Sequence, residues 1–550
     1  MSAPQIPAPE DPKAEAKVEN DWTIMVFFAG EQDLSPSMTS QLKAIKDAGF
    51  QKNTTVLIHY DPNKQGVGTV TFDINQEGKK KVGTSIGDGK NPFVRNLFDD
   101  VILGAPKGAT AEQALKMFLQ MGEKDYPAKH YVIILVGHGV IVGNDAFLPD
   151  SSPENTAITL QQLGDILSGF QANAQWHGST VELIGLHSCS MSGIEVVYQL
   201  QGAAKYLLAT EGVSFVGSWP YRQILKKILN TIDEAKKGKN EVDVDDLIMS
   251  VQRLCLHNST DFMFSGLSAD LSLCSLDPDK VKELDDPIRD LTRALKEGLK
   301  DPRGQELIQL AHLKSQSYFE EMYTDLYDFC LCLEDKCLER EPLQAKIKHA
   351  CEAVRDKLKE TNKPGGMVVF SDFFGPLYQY SHGLSVYFPW ARPVQDTPAP
   401  PARDILGHYE NYEFTKQLGK DDSWLSFLNA YFDATLRKSR VEEDTPVEQK
   451  QKKFPQNGQK PIPRIPVVVG SAGVSIADGL AKSSPELAKI SPELAKISPE
   501  LSGGCGCTIK NYPMQFIESQ RPPDDPPHPG NGSVQRQTHA EVTAQQYQGG

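Results

Sequence analysis

No stretch of this 550-residue chain reaches the roughly 18 consecutive apolar residues that a membrane-spanning helix requires, which excludes an integral membrane protein of the helical kind. Basic charge is scarce as well. Lys and Arg number 57 against 72 Asp and Glu, a formal net charge of -15. Duplex binding rests on basic groups that neutralise phosphate, so nucleic acid is excluded as a partner and the acidity reads as a solubility feature. Cysteine is sparse and odd in number, nine in all. That excludes a disulfide framework and suits free thiols in a reducing compartment. The start, Met1-Ser-Ala-Pro-Gln-Ile-Pro-Ala-Pro-Glu-Asp-Pro-Lys13, lacks the charged opening and apolar core of a secretory leader, so the expectation is a cytoplasmic protein.

Metal-ligand spacing is also missing. Cys330 and Cys332, with Cys337 and Cys351 nearby, lie in helical sequence where positions two apart diverge, unlike paired zinc ligands. Asp243, Asp245 and Asp246 lack the glycine and terminal glutamate of a calcium loop. Cys505 and Cys507 belong to a Gly-containing tail and carry no assigned role.

The chain divides by composition. Residues 1–20, rich in Pro, Ala and charge, read as disordered. From 21 to 240, apolar strands near 23–29, 54–60, 131–136, 181–186 and 206–210 alternate with helical segments such as Ala111–Met121 and Leu160–Leu167. That alternation predicts an α/β fold, a parallel-rich sheet with helices on both faces. Residues 241–436 read as a mostly helical second unit with extended segments near 262–268, 367–371 and 384–388. From 437 to 550 the composition turns to Pro, Gly, Gln and Lys, and Ser484-Pro-Glu-Leu-Ala-Lys-Ile490 recurs as Ser491–Ile497, then begins again at Ser498. The repeats read as docking sites, as cleavage sites in cis at Lys489 and Lys496, or as a passive linker.

Two motifs carry chemistry, each closing an apolar run. Tyr131-Val-Ile-Ile-Leu-Val-Gly-His138-Gly139 ends on an imidazole, and Val181-Glu-Leu-Ile-Gly-Leu-His-Ser-Cys189 ends on a thiol. Such runs are buried parallel strands whose carboxyl ends form the edge where α/β sheets place their chemistry. His138 precedes Cys189 by 51 residues, close to the spacing of caspase-type peptidases. A thiol needs a neighbouring base or positive potential to attack at neutral pH. The segment Ser190–Leu200 predicts a helix starting just after Cys189, whose positive end favours the thiolate.

The residues around this pair resemble the clostripain family of cysteine peptidases, in the clan of the caspases. The resemblance runs from Asp21-Trp-Thr-Ile-Met-Val-Phe-Phe through Thr55-Val-Leu-Ile-His-Tyr-Asp61, Leu207-Leu-Ala-Thr-Glu-Gly212 and Gly217-Ser-Trp-Pro-Tyr221 to Tyr323-Thr-Asp-Leu-Tyr-Asp-Phe329, on a helix, and His382-Gly-Leu-Ser-Val-Tyr-Phe-Pro389, on a strand. It implies a caspase-like fold and a bacterial endopeptidase of protein substrates. His138 would be the general base, Cys189 the thioester-forming nucleophile, and the N–H groups of Gly139 and Cys189 the oxyanion hole. It requires no cofactor, although calcium activates some relatives.

The sequence departs from the family at two places. Where many members carry an Asp that binds a basic P1 side chain, this chain has His187; a neutral imidazole suits a polar side chain and a protonated one an acidic side chain. Glu211 and Asp150 are candidate compensating carboxylates, with Ser218 and Trp219 on the cleft-shaping loop. The second departure concerns zymogen activation, which in the family is often self-cleavage at a basic residue between the dyad positions. No Lys or Arg occurs between Lys129 and Lys205, so the expected activation site moves to the polar segment holding Lys236, Lys237 and Lys239, cut by the enzyme itself or by an activating protease. Two rivals share these features: a catalytically silent caspase-like scaffold that recruits partners through its tail, and a thiol transferase that passes the acyl group to an amine.

Overall fold

Short β-branched runs in this chain become strands because both of their faces can be buried. The computed structural model describes residues 20–29, 35–49, 51, 53–60, 70–73, 101–104, 110–140, 146–148, 157–257, 268–319, 321–393 and 405–443. Asp150, Cys505, Cys507 and the repeats at 484–501 lie outside them. In chain order the strands are β1 (Asn20–Phe28), β2 (Thr54–Tyr60), β3 (Val70–Asp73), β4 (Val101–Gly104), β5 (Ala128–Val136), β6 (Gly139–Val140), β7 (Ala146–Phe147), β8 (Thr180–His187), β9 (Tyr206–Ala209), β10 (Ala269–Ser275), β11 (Ser317–Tyr318), β12 (Tyr323–Asp325), β13 (Val368–Phe374) and β14 (Ser385–Tyr387).

Nine of them form one sheet in the order β13-β10-β9-β8-β5-β1-β2-β3-β4. Its centre, β9-β8-β5-β1-β2, is parallel, and β10, β13, β3 and β4 add antiparallel edges. This is the parallel-rich sheet with helices on both faces that the sequence predicts. Alternation along each strand splits the core. Met25, Phe27, Ile133 and Leu135 pack with residues of helices Ala111–Asp125 and Leu160–Trp176. Ile24, Val26, Ile134 and Val136 pack on the other face with residues of helices Ser35–Lys46, Tyr221–Gly238 and Val244–His257. Each Leu, Ile or Phe so buried contributes roughly 1.5–3 kcal/mol. The winding reverses between β1 and β5, since β2 lies on one side of β1 while β5, β8 and β9 follow on the other. Such a reversal opens a crevice at the carboxyl ends of the strands.

The sheet does not stop at residue 240. β10 and β13 extend it, while β11, β12 and β14 form a separate three-stranded sheet among helices that include Asp285–Gly298, Pro302–Lys314, Leu326–Glu334 and Pro342–Leu358. The motif Tyr323–Phe329, expected on a helix, is half strand. Its Asp325 ends β12 and caps the next helix, accepting the Asp328 N–H at 2.7 Å. The extended segment expected near 262–268 lies, except for Ser268, outside the described residues.

Helices Ala111–Asp125 and Leu160–Trp176 both begin with a reciprocal cap, Thr110 with Gln113 and Thr159 with Gln162. Each cap satisfies two amide groups that a helix start leaves unpaired. Thr159→Ala is expected to lower the unfolding free energy by about 1 kcal/mol in a urea titration, with an unchanged denaturant slope.

Candidate active site

β5 and β8 pair in parallel with Val136 beside His187. Two residues past this last pair come His138 on one exit and Cys189 on the other. The two exits are tied together: Ser188 Oγ donates to the Gly137 carbonyl at 2.7 Å, and the Gly137 N–H reaches the His187 carbonyl at 3.4 Å. Gly139 is where the chain closes on the cysteine turn. A Cβ there would lie 2.9 Å from Ser188 Cβ, 3.0 Å from Met191 Sδ and 3.2 Å from the Cys189 carbonyl oxygen. Only glycine permits that approach. Gly139 faces Phe147 in the β6–β7 hairpin, and the Leu148 N–H donates to the His138 carbonyl at 2.9 Å. That is the pattern of a pair whose own amides point away from each other, so the hairpin leaves the Gly139 N–H unspent. His138 is partly exposed.

Cys189 is 0% exposed. Its sulfur lies against the main chain of one residue, 3.4 Å from the Ser214 N–H donor and 3.7 Å from the Ser214 carbonyl. The next residue departs from the expected helix. Ser190 has φ 54°, in the left-handed region, a conformation costing roughly 1–2 kcal/mol for a residue with a side chain. Helix Ile194–Leu200 begins only after a turn, with Gly193 at its cap. The helix dipole therefore acts on the thiol from farther away than the sequence suggested. The turn is held by hydrogen bonds from Ser190 N–H to the Gly212 carbonyl (2.9 Å), Ser192 N–H to the Thr210 carbonyl (2.8 Å) and Thr210 Oγ1 to the Ser188 carbonyl (3.1 Å).

His187 does not offer a free imidazole to a substrate. It is buried, its Nε2–H donates to the Phe215 carbonyl at 2.8 Å, and its Nδ1 accepts from the Tyr221 hydroxyl at 2.8 Å. Burial pushes its pKa down to about 4, against the raising effect of the Phe215 carbonyl, so the ring is neutral. Trp219 stacks on it with centroids 4.6 Å apart and an 8° interplanar angle, and fills the space over Gly185. Ser218 turns inward too, its Oγ donating to the Phe215 carbonyl at 2.7 Å. These three residues, expected to meet substrate, brace the 215–221 loop from within.

Glu211 is likewise not a cleft carboxylate. It is 0% exposed, and its Oε2 accepts the Gly383 N–H at 2.8 Å. Asp270 and Asp325, 1% and 0% exposed, share its surroundings. Asp270 accepts the N–H groups of Glu211 (2.6 Å) and Gly212 (2.9 Å), and Asp325 that of His382 (2.5 Å) besides Asp328. Burial first, and the charges of Asp325 and Asp270 second, push Glu211 well above the carboxylate range; burial raises Asp270 and Asp325 as well. The sequence reading missed Asp270, although an acid in the apolar run Ala269-Asp-Leu-Ser-Leu-Cys274 was a visible signal.

The segment of Lys236, Lys237 and Lys239 is not an open loop. Lys236 and Lys237 lie in the last turn of helix Tyr221–Gly238, paired with Asp21 (3.1 Å) and Asp233 (2.6 Å). Lys239 is the left-handed cap, followed by an exposed stretch before Val244. Asp243 accepts the Asp246 N–H at 3.0 Å, and Asp245 the Tyr206 hydroxyl at 2.9 Å, both structural uses. Among the described residues no group of three or more His, Cys, Asp or Glu side chains is arranged to hold a metal ion, and no helix is long and apolar enough to cross a membrane.

Residues 94–362 match the model of the clostripain family. Those residues belong to the clostripain family. The enzyme class that follows is a cysteine endopeptidase. Clostripain of Hathewaya histolytica is 22% identical over 421 residues, covering 67% of this chain and 74% of that protein. An inactive zymogen C11 protease from Parabacteroides distasonis is 18% identical with a TM-score of 0.45, covering 73% of this chain and 99% of its own. A secreted C11 cysteine protease from Bacteroides thetaiotaomicron, solved with an irreversible peptide inhibitor, is 15% identical with a TM-score of 0.44, covering 75% and 99%.

The candidate site is thus backed by carboxyls whose pKa is raised on folding. Such groups bind more protons folded than unfolded, so stability falls as pH rises from the ordinary carboxylate range through their raised range, then levels off. The melting temperature is expected to be several degrees lower at about pH 8 than at about pH 5, and Glu211→Gln to flatten that slope in differential scanning calorimetry. His187→Asp is expected to destabilise by about 3 kcal/mol in urea unfolding, because it would turn a buried carboxylate toward the Phe215 carbonyl.

Proposed function

We propose that this chain cleaves proteins with Cys189 as nucleophile and His138 as general base. The observation that supports the reading is the β5–β8 register, whose last pair, Val136 with His187, lies two residues before His138 on one strand exit and two before Cys189 on the other. The Cys189 sulfur, its proton passed to His138, attacks the scissile carbonyl carbon. The carbonyl electrons move onto oxygen, where the N–H groups of Gly139 and Cys189 would hold them; each such donor is worth about 3 kcal/mol of transition-state stabilisation. Collapse expels the amine, which takes the proton from His138, and leaves a thioester on Cys189. Water, deprotonated by His138, then hydrolyses the thioester and restores the thiol.

A basic P1 side chain would need a carboxylate. His187 is neutral with both nitrogens engaged, and Glu211 is buried. We therefore assign P1 selection for Lys or Arg to neither residue, which leaves Asp150 as the candidate carboxylate for a basic P1. The complete burial of Cys189 beneath Ser214 supports a latent form in which the 213–215 segment must move before substrate enters. Of the proposed cleavage positions, Lys239 alone offers a bond beyond the helix. An intact chain in fully active protein would remove cleavage from this account.

The test is a peptide library varied at P1, incubated with full-length protein before and after limited proteolysis at 239–240 and read by mass spectrometry. Cys189→Ala and His138→Ala are each expected to lose about a thousandfold or more in kcat/KM. Cleavage by Cys189→Ala at the wild-type rate would refute the assignment. Acyl transfer to added amines in place of hydrolysis would identify the transferase. Silence from every form of the wild type would favour the scaffold.

A further inference from the structure

We propose that Asp270 is a positioning residue for the nucleophile, holding the left-handed turn after Cys189 through the main chain of Glu211 and Gly212. The proposal rests on the assignment of Cys189 as the nucleophile. Asp270 Oδ2 accepts the Glu211 N–H at 2.6 Å and Oδ1 the Gly212 N–H at 2.9 Å. The Gly212 carbonyl in turn accepts the Ser190 N–H at 2.9 Å and the Thr210 hydroxyl at 3.3 Å. Two residues further on, the Ser214 N–H lies 3.4 Å from Cys189 Sγ. One carboxylate therefore fixes the 211–212 main chain, which holds the backbone after the nucleophile at Ser190 and anchors the start of the 213–215 segment that covers the sulfur.

The segment is also packed from its other side. Tyr378 accepts the Val213 N–H on its hydroxyl at 3.3 Å, and its ring lies 2.6 Å from where a Cβ of residue 212 would stand. No side chain fits there, so the Gly212 main chain takes its position from Asp270 and Tyr378 together. The titratable groups around Asp270 are Glu211, Asp325 with Asp328 behind it, Tyr318 and Tyr378; the amides of His382 and Gly383 face the same cluster. Among the described residues no ion pair joins a Lys, Arg or His to Asp270, so its charge is balanced by main-chain dipoles, chiefly the two that it positions.

Asp270→Asn keeps the shape and changes the clamp. An amide offers one accepting oxygen, and its NH₂ would face an N–H donor. With the turn free to shift by about 1 Å, kcat is expected to fall about 100-fold while KM stays within about twofold. A second readout follows the thiols: alkylation by iodoacetamide, mapped by mass spectrometry, at Cys189 and at the buried controls Cys255 and Cys351. Labelling of Cys189 is expected to rise about tenfold and that of the controls to stay unchanged, because a local opening exposes one thiol and a global one exposes all. Ser190→Gly, which frees the left-handed turn of its side-chain strain, is expected to recover about tenfold of the lost kcat in the Asp270→Asn background.

Unchanged kcat, or equal acceleration at all three thiols, would overturn the proposal. If the wild type cleaves no peptide, the peptidase reading fails while selective labelling of Cys189 still supports the clamp. If Asp270→Asn does not accumulate as folded protein, the double variant with Ser190→Gly decides: soluble protein with selective Cys189 labelling supports the clamp, and a second failure to fold refutes it.

Discussion

β5 and β8 lie side by side with a fixed offset, Val136 against His187, and that offset decides which residues meet at the edge of the sheet. A slip of one residue would turn every side chain of a strand to the opposite face. Here the two faces are committed to different cores, with Ile133 and Leu135 in one and Ile134 and Val136 in the other. The buried helices on both sides therefore lock the register, and the register places the His138 and Cys189 turns. Precision at the edge comes from hydrophobic packing some distance from it.

The second layer of the site is polar and local. Past the last paired residues the chain has no ladder to satisfy its amides, and burial makes an unpaired amide expensive. Side chains take over: Ser188 on the Gly137 carbonyl, Thr210 on the Ser188 carbonyl, His187 on the Phe215 carbonyl and Asp270 on two successive N–H groups. These bonds also retain Ser190 in a conformation that it would leave in isolation. Rigidity bought in this way explains why residues that look like substrate contacts in the sequence are turned inward.

The strands and their order of chemistry were legible because they depend on local pattern. β-Branched runs marked β1, β2, β5, β8 and β9 to within a few residues, and the 51-residue spacing of His138 and Cys189 equals the strand offset. The direction of single polar side chains was not legible. Whether Glu211 faces solvent depends on Gly383, and whether His187 is free depends on Phe215 and Tyr221, partners distant in sequence. The lysine segment failed for a different reason. Its charge and single glycine suggested a loop, but Ile224, Leu225, Ile228, Leu229 and Ile232 give the preceding turns an apolar stripe that carries the helix through Gly238.

Burying three carboxyls behind Cys189 is costly, and an apolar filling of equal volume would avoid that cost. It would also leave five amides, those of Glu211, Gly212, Asp328, His382 and Gly383, without acceptors. These amides belong to the segment after β9, the first turn of the helix after β12 and the turn before β14, where no strand can reach all of them. A carboxyl group offers two accepting oxygens on a short stem, so three of them satisfy five donors from three directions. Protonation of part of the cluster then limits the charge that must be buried, which is the physical sense of the raised pKa values. The arrangement joins the strand that follows Cys189 to the carboxyl-terminal part of the fold, and this gives the distant motifs at 323–329 and 382–389 a structural connection to the Cys189 turn.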